Sequence, residues 1–162
     1  MAEAPAAGAH AFAFTTIDGG KLPLESFRGK PVLVINTASF CGYTPQYTDL
    51  EALYRRFRDR GLVVLAVPSN DFGAQEPGSA TEIKDFCATY HVSFPVAGKE
   101  HVIGDSAHPF YRWIAAELGE GGAPRWNFHK YLLAPDGSLA GAWPSVVQPL
   151  APDIVKEIER LL

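Results

Sequence analysis

Residues 31–67 constrain the fold more than any other stretch of the sequence. Two unbroken runs of β-branched and other apolar residues, PVLVI at 31–35 and LVVLAV at 62–67, flank a segment with helical periodicity. Runs of this kind are typical of strands buried on both faces of a sheet. A single helix between two such strands makes them parallel, with a right-handed crossover. The stretch therefore predicts a βαβ unit at the centre of an α/β protein.

The segment between the two runs predicts one amphipathic helix. Thr44 is a suitable N-cap, Pro45 fits the first helical position and Gly61 is a suitable terminator. The apolar residues between them recur at helical spacing: Leu50, Leu53, Tyr54 and Phe57. Because the strands before and after the helix are parallel, both should end at the same edge of the sheet.

Two hairpins flank this unit. The stretch AFAFTTIDGGKLPL at 11–24 alternates apolar and polar residues around a glycine-rich turn and predicts an N-terminal β-hairpin. The stretch FHKYLLAPDGSLAGAW at 128–143 predicts a second pair of strands with a turn at Pro-Asp-Gly.

Three more helices are predicted. Ser79 and Glu82 form a capping box for the first of them. Its inward-facing positions are Ile83, Phe86, Cys87 and Tyr90. The other two lie around residues 107–118 and in the closing stretch DIVKEIERLL.

Composition predicts one domain and disfavours several partners. With 162 residues and 47% hydrophobic side chains, the chain is expected to form a single domain, 1–162, preceded only by a flexible tail at 1–10. The net charge of -4 and the scattered Lys and Arg residues offer no basic surface for nucleic acid or anionic lipid. No segment resembles a signal peptide or a membrane span, so we expect a cytoplasmic protein.

The chain has two cysteines, Cys41 and Cys87. Two are too few for a disulfide framework, and neither has a Cys or His neighbour at metal-ligand spacing. Each is therefore either a packed side chain or a redox-active thiol. We assign no role to the five histidines and expect no metal or other cofactor.

Cys41 lies where α/β proteins usually carry out chemistry. It follows the first buried strand and precedes the helix by only a few residues. Backbone amides at a helix N-terminus favour an anion, so a thiol there is expected to ionise more easily than an ordinary cysteine. Gly42 beside it reduces steric cover. On position alone, the alternative of a small apolar side chain that fills a turn remains open.

Three blocks of sequence carry a resemblance to a known family. They are ASFCGYTPQY at 38–47, PSNDFGAQEPG at 68–78 and RWNFHKY at 125–131. In this order they resemble the signature blocks of the glutathione peroxidases, and the resemblance runs from about residue 12 to the C-terminus. It implies a thioredoxin-like fold, with a central mixed sheet flanked by helices and an N-terminal β-hairpin. It also implies an antioxidant peroxidase that acts on hydrogen peroxide and organic hydroperoxides.

Carried over by motif position, the resemblance implies that Cys41 is the peroxidatic cysteine, surrounded by Gln75, Trp126 and Asn127. If a strand beginning at Phe128 is antiparallel, as the resemblance implies, all four reach one edge of the sheet. The indole and carboxamide groups are neutral donors that can stabilise a thiolate and then the departing peroxide oxygen. Taken singly, each donor has a structural alternative, as a core Trp, an exposed loop Gln or a turn-forming Asn.

The resemblance also implies a role for the second cysteine. Cys87 occupies the position of the resolving cysteine in family members that use thioredoxin, upstream of an FP dipeptide at 94–95. This implies an intramolecular disulfide between Cys41 and Cys87 that thioredoxin reduces. Because Cys87 lies on the apolar face of its helix, we expect residues 82–95 to unfold locally when the disulfide forms. No strong C-terminal cap is evident for this helix, which favours such unfolding.

Two other functions remain open. In a glutathione-dependent peroxidase, Cys87 would be inert, although the sequence has no evident basic cluster for the carboxylates of glutathione. A non-catalytic thioredoxin-like redox sensor or binding module would retain the scaffold and signal through Cys41. A general disulfide reductase is disfavoured because the chain has no CxxC pair.

The chain departs from the family pattern at one block. Many relatives read PCNQFG where this chain has PSNDFG, so Ser69 and Asp71 replace a Cys and a Gln. We expect Asn70 and Asp71 to have structural roles. The short stretch between His101 and Trp126 resembles compact members of the family, which implies a monomer.

Overall fold

The computed structural model of the protein describes residues 8–119 and 121–162. Its helices and strands follow in this order: β1 (Ala13–Thr15), β2 (Lys21–Pro23), β3 (Val32–Thr37), α1 (Gln46–Phe57), β4 (Val63–Pro68), α2 (Ala80–Thr89), α3 (Pro109–Leu118), β5 (Lys130–Leu133), β6 (Leu139–Trp143) and α4 (Pro152–Leu161). β3 to β6 form a mixed four-stranded sheet in the order β4-β3-β5-β6, in which only β3 and β4 are parallel. The predicted α/β architecture with a central mixed sheet is confirmed.

The chain from β3 to β4 folds as the predicted βαβ unit. All six residues of each strand are buried, as expected from their apolar runs. α1 buries Leu50, Leu53 and Phe57. A short 3-10 turn then leads to Gly61, whose φ of 113° permits the left-handed conformation that ends the helix.

Helices and the hairpin cover both faces of the sheet. Successive strand residues point to opposite faces, so β3 contributes to two separate cores. Leu33 and Ile35 pack in the core that contains α1, α2 and α4. Val32 and Val34 pack in the core that contains α3 and the N-terminal hairpin. Burial on both faces explains why the strands of the βαβ unit are apolar without alternation.

The N-terminal hairpin forms a two-stranded sheet of its own, β1 against β2. The predicted flexible tail extends too far, because Gly8–Ala11 form a 3-10 turn in which Ala9 and His10 are buried. The Ala9 N–H donates to the Gly137 carbonyl at 2.8 Å, which fastens this turn to the loop between β5 and β6. The first seven residues of the predicted tail lie outside the described residues.

Three loops meet at one edge of the sheet. β3 and β4 end there side by side, with Thr37 opposite Pro68. β5 begins at the same edge, because it is antiparallel to β3 and Lys130 lies opposite Ile35. The predicted strand start at Phe128 is two residues early, since Phe128 has a positive φ of 66° and belongs to the loop. None of the described helices is long and apolar enough to cross a membrane.

Candidate active site

Cys41 lies in a tight loop between β3 and α1. The Thr44 hydroxyl accepts a hydrogen bond from the Cys41 N–H and donates one to the Ala38 carbonyl, both at 2.9 Å. The prediction that Thr44 caps α1 is wrong, because α1 begins at Gln46 with Pro45 in the cap position and no side-chain cap. Thr44 instead fixes the backbone that carries the thiol.

The Cys41 thiol is mostly covered, with 9% of the residue exposed. Its neighbours Phe40 and Gly42 are exposed, so the loop itself lies at the surface. The Tyr43 backbone N–H is directed at the Cys41 sulfur with an N···S distance of 3.3 Å. An amide donor at this distance can stabilise negative charge on the sulfur.

The loop after β4 brings Gln75 to the same edge. The Phe40 N–H donates to the Gln75 carbonyl at 3.0 Å, so the residue before Cys41 is joined directly to Gln75. The Gln75 side chain accepts a hydrogen bond from Asn127, with an Nδ2···Oε1 distance of 2.9 Å. The structure thus brings together two of the predicted donors by a direct side-chain contact.

Trp126 packs against the same loop. Its ring lies 5.8 Å from that of Phe72, centroid to centroid. A Cβ atom at Gly73 would approach the Trp126 ring to 3.0 Å and the Gln75 carboxamide carbon to 3.5 Å. Gly73 also has a φ of 65°, so both its backbone conformation and its neighbours require a glycine. Gln75, Trp126 and Asn127 therefore form one packed group.

Asn36, in β3, holds the loop that carries Trp126 and Asn127. Its side-chain Nδ2 donates to the Trp126 carbonyl at 2.9 Å, and its backbone carbonyl accepts from the Phe128 N–H at 2.6 Å. Sequence analysis missed this residue, although an Asn that directly follows an apolar strand is a polar group that needs buried partners. Asn36 is fully buried.

Asn70 and Asp71 have the structural roles that the sequence predicted. The Asn70 side chain accepts the Glu76 N–H at 2.9 Å. Asp71 accepts hydrogen bonds from His101 and from the Val102 N–H, both at 2.7 Å. Burial opposes the ionisation of Asp71, but these hydrogen bonds hold its pKa below the usual value. The contacts brace the loop that carries Gln75.

Glu76 is a buried carboxyl group beside this site, to which the sequence analysis assigned no role. It is only 1% exposed and lies near Ser39. Burial raises the pKa of Glu76 above the usual value. Its place in the PSNDFGAQEPG block, directly after Gln75, was the signal that could have identified it.

Cys87 does not belong to this group. It lies in α2, 5% exposed, within the core that α1 and α4 share. Burial raises the pKa of Cys87 to about 11, although the nearby Tyr47 hydroxyl acts in the opposite direction. Both cysteines are free thiols. In the folded reduced protein Cys87 is therefore protonated and a poor nucleophile.

The helix that carries Cys87 ends differently from the prediction. The His91 N–H donates to the Ala88 carbonyl at 3.0 Å and the Val92 N–H to the Cys87 carbonyl at 3.3 Å. These two bonds form a Schellman motif, so a specific C-terminal cap is present. The position that usually holds glycine is occupied by His91, with a φ of 57°. The cap is complete but strained.

Comparison with known proteins identifies similar sequences over most of the chain. The family model for glutathione peroxidase matches residues 9–115, which include Cys41, Gln75 and Cys87. A hydroperoxy fatty acid reductase of Synechocystis is 43% identical over 162 residues, covering 94% of this chain and 95% of that protein. A glutathione peroxidase-like peroxiredoxin of Schizosaccharomyces pombe is 45% identical over 135 residues, 82% of this chain and 85% of that protein.

Solved structures show the same architecture. The crystal structure of T. cruzi GPX1 matches with a TM-score of 0.77 and 28% identity, covering 96% of each chain. A thioredoxin-family thiol:disulfide interchange protein from Chlorobium tepidum matches with a TM-score of 0.72 at 18% identity, covering 99% of each chain. The fold is thioredoxin-like, as predicted.

Proposed function

The chain belongs to the glutathione peroxidase family, and on that premise we propose that it is a thiol peroxidase in which Cys41 is the nucleophile. The observation that carries this proposal is the packed group of Gln75, Trp126 and Asn127 at the sheet edge where the Cys41 loop begins. Neutral N–H donors beside a thiol suit peroxide reduction, because the charge moves from sulfur to the leaving oxygen during the reaction.

The first step oxidises Cys41. Its thiolate attacks one peroxide oxygen, the O–O bond breaks, and the other oxygen leaves as hydroxide or alkoxide and takes up a proton. The products are a sulfenic acid on Cys41 and water or an alcohol. The Trp126 indole N–H and the carboxamide of Gln75 are the proposed donors to the developing negative charge, while Asn127 orients Gln75.

The second step resolves the sulfenic acid. The Cys87 thiol displaces the hydroxyl of the sulfenic acid, which leaves as water, and a disulfide joins the two cysteines. Since Cys87 is buried and protonated in the folded protein, residues 82–95 must open first. A reduced dithiol protein, thioredoxin, then restores both thiols by disulfide exchange.

The proposed substrates are hydrogen peroxide and organic hydroperoxides. The relative named as a hydroperoxy fatty acid reductase supports the organic class. Because only 9% of Cys41 is exposed, we expect small or slender hydroperoxide groups to reach its sulfur more easily than bulky ones.

The burial of Cys87 favours one alternative. If α2 does not open, Cys87 stays inert and a small thiol such as glutathione must reduce the sulfenic acid of Cys41 directly. A peroxide pulse followed by intact mass measurement and peptide mapping separates the two routes. The proposed route predicts a bridged Cys41–Cys87 peptide, whereas the alternative predicts a sulfenic acid or glutathione adduct on Cys41.

Steady-state turnover provides a second test. Cys87→Ser is expected to lose turnover with thioredoxin while it still consumes one equivalent of peroxide. Full turnover of this variant with thioredoxin would refute the resolving role. Reduced wild-type protein that consumes no peroxide in stopped-flow mixing would refute the peroxidase proposal and support a redox sensor or binding module.

A further inference from the structure

Lys130 is a fully buried lysine at the start of β5, directly after the loop that carries Trp126 and Asn127. Its Nζ donates to the Phe128 carbonyl at 2.7 Å and to the Ser145 carbonyl at 3.3 Å. Among the described residues, no carboxylate forms an ion pair with it. An apolar side chain of the same volume would avoid the unfavourable burial of an amine. The lysine therefore indicates a need for these two hydrogen bonds.

The first bond holds a strained turn. Phe128 has a φ of 66°, which is unfavourable for a bulky residue, and it directly follows Trp126 and Asn127. The Phe128 N–H donates to the Asn36 carbonyl at 2.6 Å, and the Phe128 carbonyl accepts a hydrogen bond from Lys130 Nζ. The peptide groups on both sides of Phe128 are thus fixed, and with them the direction in which the chain presents Asn127.

The second bond links this turn to the helix that follows Cys41. The Ser145 carbonyl also accepts a hydrogen bond from Gln46 Nε2 at 2.9 Å. Gln46 is the first residue of α1 and is buried. Lys130, Ser145 and Gln46 therefore form a continuous chain of hydrogen bonds between the Phe128 turn and the end of the Cys41 loop.

We propose that Lys130 is a positioning residue for peroxide reduction, which fixes Trp126 and Asn127 against Gln75 through the Phe128 carbonyl. This inference rests on the proposed function of Cys41. Burial lowers the pKa of Lys130 to about 7, which shows how strongly the surroundings disfavour the charge. The hydrogen bonds to the two carbonyls keep the side chain in place in spite of this.

The test is Lys130→Met in a Cys87→Ser background. Cys41 is then the only cysteine, so its oxidation alone is measured. We expect the second-order rate constant for oxidation by hydrogen peroxide to fall about tenfold or more, because small displacements of catalytic groups have large effects on rate. Alkylation of Cys41 by iodoacetamide is expected to stay within about twofold, since it does not need the donors to a leaving peroxide oxygen. Lys156→Met, the same change at an exposed position of α4, is the matched control.

A second variant covers the case in which Lys130→Met does not fold. Lys130→Gln keeps a neutral donor but is one bond shorter and cannot reach both carbonyls, so we expect a loss of about threefold or more in the peroxide rate constant. A parental rate constant in either folded variant would overturn the positioning role. A parent that does not react with peroxide at all would instead refute the proposed function, and this inference with it.

Discussion

The two carboxamides at the site, those of Gln75 and Asn127, have different roles. The Nδ2 group of Asn127 lies 2.9 Å from the Gln75 oxygen and 3.4 Å from the Phe72 carbonyl, and Asn127 is fully buried. Its donors are therefore directed at the protein and not at the thiol. The Gln75 carboxamide is held with its oxygen toward Asn127, which directs its nitrogen to other acceptors.

Asn127→Ala tests this arrangement. Without Asn127, Gln75 loses its orientation, and we expect oxidation of Cys41 by hydrogen peroxide to slow by about 10- to 100-fold, because small displacements of a catalytic group have large effects on rate. Stopped-flow measurement in a Cys87→Ser background gives the rate constant. Gln148→Ala removes a carboxamide at an exposed position and should leave the rate constant unchanged. A change of less than twofold in Asn127→Ala would contradict the role of the pair.

In the proposed mechanism, the stability of the C-terminal end of α2 controls how easily Cys87 becomes accessible. The Schellman motif at Tyr90 to Val92 closes the helix, but a histidine holds the left-handed position. A side chain in that conformation costs about 1 kcal/mol relative to glycine. The last turn of α2 is therefore less stable than it would be with glycine at position 91.

His91→Gly is expected to stabilise this end and delay disulfide formation. Relief of the strain should raise the free energy of unfolding by about 0.5–1 kcal/mol, partly offset by the greater freedom of glycine in the unfolded chain. If opening precedes the reaction, the rate of Cys41–Cys87 disulfide formation after a peroxide pulse should fall by about two- to fivefold. His91→Ala, which keeps the Cβ atom, should show neither effect.

A second contact holds the segment that follows α2. Glu51 in α1 accepts hydrogen bonds from the Ser93 N–H at 2.8 Å and the Ser93 hydroxyl at 2.6 Å, and from Arg55. Burial of Glu51 opposes its ionisation, yet these bonds hold its pKa below the usual value. The carboxylate anchors the C-terminal end of the segment that we propose opens for resolution.

Glu51→Gln should have the opposite effect to His91→Gly. Loss of the charged acceptor is expected to lower the free energy of unfolding by about 1–2 kcal/mol and to accelerate disulfide formation. Because the folded pKa of Glu51 is lowered, its contribution is present above the unfolded pKa and is lost as the pH falls through the folded value. Glu157→Gln in α4 is the control, and an unchanged or slower rate in Glu51→Gln would argue against the anchor.

Several buried polar groups of the protein lie near the edge of the sheet where β3 and β4 end. Four polar residues there are each at most 6% exposed, although the protein interior consists mainly of two apolar cores: Asn36, Glu76, His129 and Lys130. Such groups are unfavourable to bury unless hydrogen bonds or opposite charges compensate for the loss of water. Three of them, Glu76, His129 and Lys130, are titratable with shifted pKa values, so they make the stability of the molecule depend on pH.

His129 is expected to make the folded protein less stable as the pH falls. Burial, with the charges of Lys130 and Arg125, lowers the pKa of His129 to about 4. Between about pH 6.5 and 4 the unfolded chain therefore binds a proton that the folded protein does not, so stability is lost as the pH falls.

We expect the free energy of unfolding in urea to decrease by about 1 kcal/mol per pH unit from 6.5 to 4.5, less than the limit of about 1.4 because the histidine of the unfolded chain is only partly protonated near pH 6.5. His129→Phe retains the stack on Tyr131 and should flatten this slope. An equal slope in both proteins would show that other groups cause the acid sensitivity.

Local sequence alone determined most of the elements. Apolar runs identified β3 and β4, helical spacing identified α1, and the capping box of Ser79 and Glu82 is present as predicted. The parallel pair then required that the loops with Cys41 and Gln75 share an edge. These features depend on neighbours a few residues apart, which is why periodicity and capping reveal them.

The hydrogen-bond partners of the buried polar groups could not be predicted from local sequence. Asn36 reaches the Trp126 carbonyl across 90 positions of sequence, and Lys130 joins two loops that no local pattern relates. Thr44 was mistaken for a cap because its actual acceptor, the Ala38 carbonyl, depends on the path of the loop. A buried donor or acceptor must find a partner, but only the folded chain determines which distant group lies within hydrogen-bonding distance.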